Sequence, residues 1–207
     1  MPNIVFAAIS PHPPIILPSV GSKEDRLKVK KTIKALEDLG EALKKENPEE
    51  IIISSPHPDW GFNVPLFFLA KNFKGEIKNY LIGSESPDYY FLKGKEIGEK
   101  LSSVKIKKKV ALIASGDLSH RLKEDGPYGF NPDGPKFDEK LRESLKKKDM
   151  ETILELDETY PEAAECGLRS FVFLFGILEG SKIKYNAEIL SYEGPFGVGY
   201  LVTKLNF

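Results

Sequence analysis

The stretch Asn3-Ile4-Val5-Phe6-Ala7-Ala8-Ile9, followed at once by Ser10-Pro11-His12-Pro13-Pro14, sets the pattern for the rest of the chain. A short unbroken apolar run reads as a buried β-strand. Proline has no N–H to give a sheet ladder, so the strand must stop there. His12 therefore stands just beyond the carboxyl end of a strand. The same grammar returns twice. Glu50 to Ser54 leads into Ser55-Pro56-His57-Pro58, and Val110 to Ala114 leads into Gly116-Asp117-Leu118-Ser119-His120. All three histidines of the chain thus follow buried strands by a few residues. In open α/β sheets these strand ends line the ligand crevice, so residues far apart in sequence can converge there.

Between these strands lie helical patterns. Ser22 to Glu46 reads as one helix, capped by Ser22 with Asp25 three residues on, apolar at Val29, Ile33, Leu36 and Leu43, and ended before Pro48. Tyr89 to Leu101 and Phe137 to Lys147 read as helices. A further helix is expected over Pro161 to Glu179, with Pro161 at its first position. Ile77 to Ile82 reads as a strand, and Val64 to Ala70 is apolar but of either type. Ile183 to Tyr192 and Val198 to Leu205 alternate as strands around Glu193-Gly194-Pro195-Phe196-Gly197 and suit a hairpin. Ser115 to Pro135 is a long loop rich in Gly, Pro and Asp, of the kind that usually carries function. Alternating strands and helices predict an α/β fold: a single-domain sandwich over residues 1–207, with a central mixed β-sheet flanked by helices and a metal site at the strand C-terminal ends.

The formal net charge of −1 gives no field that would favour nucleic acid or an anionic membrane. The local basic run Lys105, Lys107, Lys108 and Lys109 has no interleaved aromatics and reads as the solvated edge of a strand. The single cysteine, Cys166, excludes an internal disulfide and fits a reducing compartment. The first twenty residues lack a basic start and are broken by prolines, so they do not read as a signal peptide, and the longest apolar run is too short to span a bilayer. A cytoplasmic protein is expected. Abundant Lys and Glu, no Gln and little Met or Cys give a thermophile-like bias.

Two of the three strand-end histidines would need a third donor if they hold iron. The two-histidine, one-carboxylate arrangement leaves positions open for substrate and oxygen. Glu165 is a candidate. It is flanked by Ala163, Ala164, Cys166 and Gly167, and on a helix it would share the buried face of Leu168, Val172 and Gly176. The same position also suits a salt bridge to Arg169 at i+4. Cys166 reads as inert packing, as a soft metal ligand or as a thiol near the metal. Asp59, Trp60 and Asp117 lie close to the histidines in sequence. Phe62, Phe67, Phe68, Tyr128, Phe130, Phe196 and Tyr200 are candidates for an aromatic-binding pocket or for the core. A zinc hydrolase could use the same His/Glu set.

The ordered motifs SPHPP, SPHPD, GDLSH, AECGLRSFVFLFGILEG and YEGPFGVGYLV resemble the LigB-type class III extradiol ring-cleavage dioxygenase family. The likeness is to its AmmeMemoRadiSam-associated branch, related to Memo-like proteins, and covers nearly the whole chain. It implies His12, His57 and Glu165 as ligands to non-haem Fe(II), with Zn or Cu as alternatives, and His120 as the acid/base residue. It implies a small catechol-like substrate and O2, a homodimer, and separate AmmeMemoRadiSam partner proteins. Memo-like relatives carry a cysteine where Cys166-Gly167 stands, so the resemblance offers Glu165 and Cys166 as two versions of the third ligand. Under the second version the protein is a metal-binding redox or partner-binding protein without ring cleavage.

Overall fold

A computed structural model describes residues 3–103 and 108–207. Strand β1 (Asn3–Ser10) ends at the prolines and passes through a 3-10 turn (Pro14–Ile16) to helices α1 (Lys23–Lys28) and α2 (Lys30–Glu46). Then come β2 (Glu50–Ser55), α3 (Trp60–Leu69), β3 (Glu76–Leu81), α4 (Pro87–Ser103) and β4 (Lys109–Ser115). Helices α5 (Asp133–Lys147), α6 (Met150–Leu154), α7 (Leu156–Thr159) and α8 (Leu168–Gly180) precede the hairpin β5 (Asn186–Glu193) and β6 (Tyr200–Asn206). The six-stranded sheet runs in the order β3-β2-β4-β1-β6-β5. β3, β2, β4 and β1 are parallel to one another, while β6 is antiparallel to β1 and to β5. The sheet is therefore mixed and flanked by helices, as the strand–helix alternation predicts.

Continuous apolar runs are required because the central strands are covered on both faces. On one face Phe6, Ala8, Ile51, Ile53, Ala111 and Ile113 pack against Leu36 and Leu39 of α2 and Phe62 and Phe68 of α3. On the other face Ala7, Ile9, Ile52, Leu112 and Ala114 pack against Phe137 and Leu141 of α5 and Phe171 to Phe175 of α8. Helices α4 and α8 pack through reciprocal glycines. A Cβ on Gly94 would lie 2.1 Å from the Phe173 carbonyl oxygen, and one on Gly176 would lie 2.1 Å from that of Phe91. No helix among the described residues is long and apolar enough to cross a membrane.

Two expected helices differ in the structure. The one over Ser22 to Glu46 breaks at buried Val29 (φ −119°, ψ 29°). The break is held from outside, because Glu193 on β5 accepts from the backbone N–H and the hydroxyl of Thr32, both at 2.8 Å. The one over Pro161 to Glu179 begins only at Leu168. Before it come a 3-10 turn (Pro161–Ala163) and Ala164 in the left-handed region (φ 52°, ψ 42°). Glu165 is thus not on a helical face. The segment Ala164–Gly167 is tied to the β4 loop instead, because the Asp117 carbonyl accepts from Gly167 N–H at 3.0 Å. Val64 to Ala70 belongs to α3 and its C-cap. Of the basic run, Lys105 and Lys107 lie outside the described residues, while Lys108 pairs with Glu76 (3.1 Å) at the sheet margin.

Candidate metal centre

Each site residue is placed by the end of a strand or by the turn before α8. His12 follows β1 and is buried, with 2% of its surface exposed. Its backbone N–H donates to Asp117 Oδ1 at 3.0 Å, and its Nδ1 lies 2.9 Å from Ser115 Oγ. The Ser115 hydroxyl spends its own hydrogen on the Gly61 carbonyl. It can therefore only accept from the imidazole, so the proton sits on Nδ1 and the Nε2 lone pair is free. Burial, and then the neighbouring His57, push the pKa of His12 down to about 3. The ring is a neutral imidazole at any ordinary pH, which is the ligating form.

His57 follows β2. Its backbone N–H donates to Ser55 Oγ at 3.2 Å, and that hydroxyl donates back to the His57 carbonyl at 3.0 Å. The ring meets His12 edge-on with centroids 5.2 Å apart and stacks on Trp60 at 5.4 Å. Trp60 opens α3, behind Asp59, whose backbone is held at φ 53° and ψ −100°.

The third member is Cys166. Its Sγ lies 3.5 Å from His12 Nε2 and accepts from Asp117 N–H at 3.3 Å. One donor atom each from His12, His57 and Cys166 lie within 4.8 Å of one another. Burial, and then Asp117, push the Cys166 thiol well above its usual pKa. Without a cation the sulfur is therefore held as a thiol, and a bound metal would reverse that preference. Two imidazoles and one cysteine sulfur are a donor set that suits a transition metal, and three donors are fewer than such a metal takes.

Glu165 is turned elsewhere. Its Oε2 accepts from Leu168 N–H at 2.6 Å, so it caps α8, and its Oε1 lies 3.4 Å from Arg169. Arg169 also pairs with Asp157 at 2.9 Å. With its side chain 7% exposed, burial is the chief reason its pKa rises to about 7.

His120 stands beside the cluster. Its Nδ1 donates to the Ala164 carbonyl at 2.5 Å, which leaves Nε2 as the acceptor, and Tyr128 meets the ring edge-on at 5.0 Å. Burial lowers its pKa, against an opposing pull from Asp117. Buried Asp117 is itself raised to about 6, chiefly by desolvation. The structure thus brings together His12, His57 and Cys166, with His120 and Asp117 alongside. Ser115, which sets the His12 tautomer, carries no signal in the sequence beyond its place at the end of a strand.

Residues 55–203 match the family described as the catalytic LigB subunit of aromatic ring-opening dioxygenase. Protein CA_C1420 of Clostridium acetobutylicum is 34% identical over 94% of this chain and 56% of its own length, so the chain spans little more than half of that relative. Among solved structures, the uncharacterized protein JW3007 from Escherichia coli K12 superposes with a TM-score of 0.64 at 15% identity. That match covers 98% of this chain and 100% of the other. The strand-end histidines, the sheet that carries them and the match over residues 55–203 place this chain in the LigB family.

Proposed function

We propose that this chain is a mononuclear redox-metal protein of the Memo-like kind. His12, His57 and Cys166 hold the metal, which is iron(II) or copper. One observation carries the reading. Cys166 Sγ shares the cluster with both histidines, whereas the carboxylate of Glu165 is occupied by the α8 N-terminus and Arg169. When bound, such a metal would supply one-electron redox chemistry and Lewis acidity. The chain's own residues bind, orient and move protons. Ser115 holds the His12 tautomer, Trp60 backs the His57 ring, and Asp117 fixes the His12 backbone and the Cys166 sulfur. With Nδ1 given to the Ala164 carbonyl, His120 has Nε2 as its acceptor, and that nitrogen would take a proton from a hydroxyl of a bound substrate.

Extradiol cleavage of a catechol-like substrate with O2 is the second reading, favoured by the family and by the free Nε2 of His120. It requires Glu165 to leave Leu168 and become the third ligand. Anaerobic reconstitution with Fe(II), Cu or Zn, followed by metal analysis of Cys166→Ala and Glu165→Ala, separates the readings. Loss of metal only in Cys166→Ala supports the first. Metal loss only in Glu165→Ala, with oxygen uptake and a ring-opened product from catechols in the wild type, establishes the second. His120→Ala is expected to keep its metal and lose turnover.

A further inference from the structure

A surface cavity of about 740 Å³ lies against α2 and the end of α3, and none of its lining residues belongs to the metal centre. Asn47 and Pro48, just before β2, and Lys74 and Gly75, just before β3, line it. β2 and β3 are parallel, so these turns sit at the N-terminal edge of the sheet, whereas His57 follows the opposite end of β2. α2 and α3 touch at Gly40, where a Cβ would lie 2.3 Å from the Phe68 carbonyl oxygen. Gly40, Leu43, Phe67 and Phe73 give the cavity apolar lining, and Phe67 is left 50% exposed.

Arg26 of α1 lines the same cavity. It is half-buried, and its guanidinium makes no ion pair and no hydrogen bond among the described residues. Its Nε is sealed from water without a partner. The adjacent carboxylate, Asp25, is taken by the Ser22 hydroxyl at 2.6 Å and by Lys28 at 3.9 Å. A cation that has lost part of its water and found no counter-ion is costly, and the guanidinium fork matches a carboxylate. Arg26 with the exposed Lys44, Lys71 and Lys74 outnumbers the two carboxylates of the lining, Glu37 and Glu41, so the cavity is locally positive on a chain of net charge −1.

We propose that this cavity binds a small amphipathic carboxylate, with its apolar body on Phe67 and Phe73 and its carboxylate on the guanidinium of Arg26. The volume falls in the range of small-molecule sites, roughly 300–1,000 Å³. A single forked, half-desolvated cation beside an apolar wall suits one carboxylate on a hydrocarbon or aryl body. The site shares no residue with the metal centre and does not depend on how that centre reads.

The test is calorimetric titration of octanoate, and of octanol as its neutral counterpart, into wild type, Arg26→Gln and Phe67→Ser. Octanoate is expected to bind the wild type, and about tenfold more weakly the Arg26→Gln variant, the scale of one lost charge-assisted contact. Octanol should bind wild type and Arg26→Gln alike, and Phe67→Ser should weaken both ligands. No octanoate binding by the wild type overturns the proposal, as does equal octanoate affinity in Arg26→Gln. Wild-type binding is measured with and without a metal chelator. Equal affinity is expected, and binding that vanishes with the chelator puts the carboxylate on a metal and overturns the site. Thermal midpoints are taken on the same samples. Arg26 has no partner to lose, so a clear fall in Arg26→Gln overturns the proposal in favour of a structural role.

Discussion

Gly116 and Gly167 meet backbone to backbone: a Cβ on Gly116 would lie 2.2 Å from the Gly167 Cα. This contact seats the turn before α8 on the end of β4, and so brings Cys166 to His12. Gly116→Ala is expected to push the turn away, because neither side can yield without moving main chain. A loss of about 1–3 kcal/mol in unfolding free energy is expected, as for overpacked interiors. Metal uptake should fall more steeply than stability. Urea unfolding and metal analysis on one sample check this, and unchanged metal content would show that the turn is not held by this contact.

Ser115→Ala removes the acceptor for His12 Nδ1–H and the donor to the Gly61 carbonyl. The imidazole is then free to change tautomer, which puts a proton on the ligating nitrogen. Metal affinity is expected to fall about 10- to 100-fold, the usual scale for such an orienting partner. Competition with a chromophoric chelator measures it. Wild-type affinity in the variant would mean that some other group fixes the ring.

Asp138 gives the clearest pH dependence away from the metal centre. It is fully buried and accepts from Tyr192 and from Ser119 N–H. Burial raises its pKa from 3.8 to about 7. The folded state therefore holds a proton that the unfolded chain releases between these values, and stability falls as pH rises through that window. Asn is neutral at every pH: its Oδ1 can accept from Ser119 N–H, and its Nδ2 can donate to the Tyr192 oxygen, as a protonated Asp138 would. Asp138→Asn should match the wild type near about pH 4 and exceed it by about 1–3 kcal/mol near about pH 8. Parallel slopes of stability against pH for the two proteins would refute this.

Gly176→Ala places a methyl group against the Phe91 carbonyl of α4. Helices packed this closely have no room to absorb it. The variant is expected to lose about 2 kcal/mol or more, read as a lower thermal midpoint. Gly129→Ala serves as a control, since a Cβ there meets nothing within 4 Å and only its φ of 72° opposes it.

Much of this molecule is legible in its amino-acid order. Apolar runs that stop at Ser-Pro-His-Pro read as buried strands with a histidine at the end, because proline ends the ladder. The positions of β1 and β2 and of the histidines after them follow from that, while β4 is read from its apolar run alone, since Gly116 and not proline follows Ser115. The hairpin is legible from alternation. The course of Pro161 to Gly167 is not. Its composition suits a helix, and what prevents one is tertiary: the Asp117 carbonyl takes the N–H groups of Cys166 and Gly167, and Ala164 turns left-handed to offer its carbonyl to His120.

The choice between Glu165 and Cys166 shows the same division most sharply. Adjacent residues point in different directions, and local sequence does not say which faces the histidines. The sequence by itself determined the α/β architecture, the strand-end histidines and a short set of third donors, since these depend on apolar periodicity and on proline. Only the tertiary structure decided that the Glu165 carboxylate caps α8 while the Cys166 sulfur lies 3.5 Å from His12 Nε2. The physical reason is that a buried carboxylate must find N–H donors, and the free N–H of Leu168 and the guanidinium of Arg169 supply them.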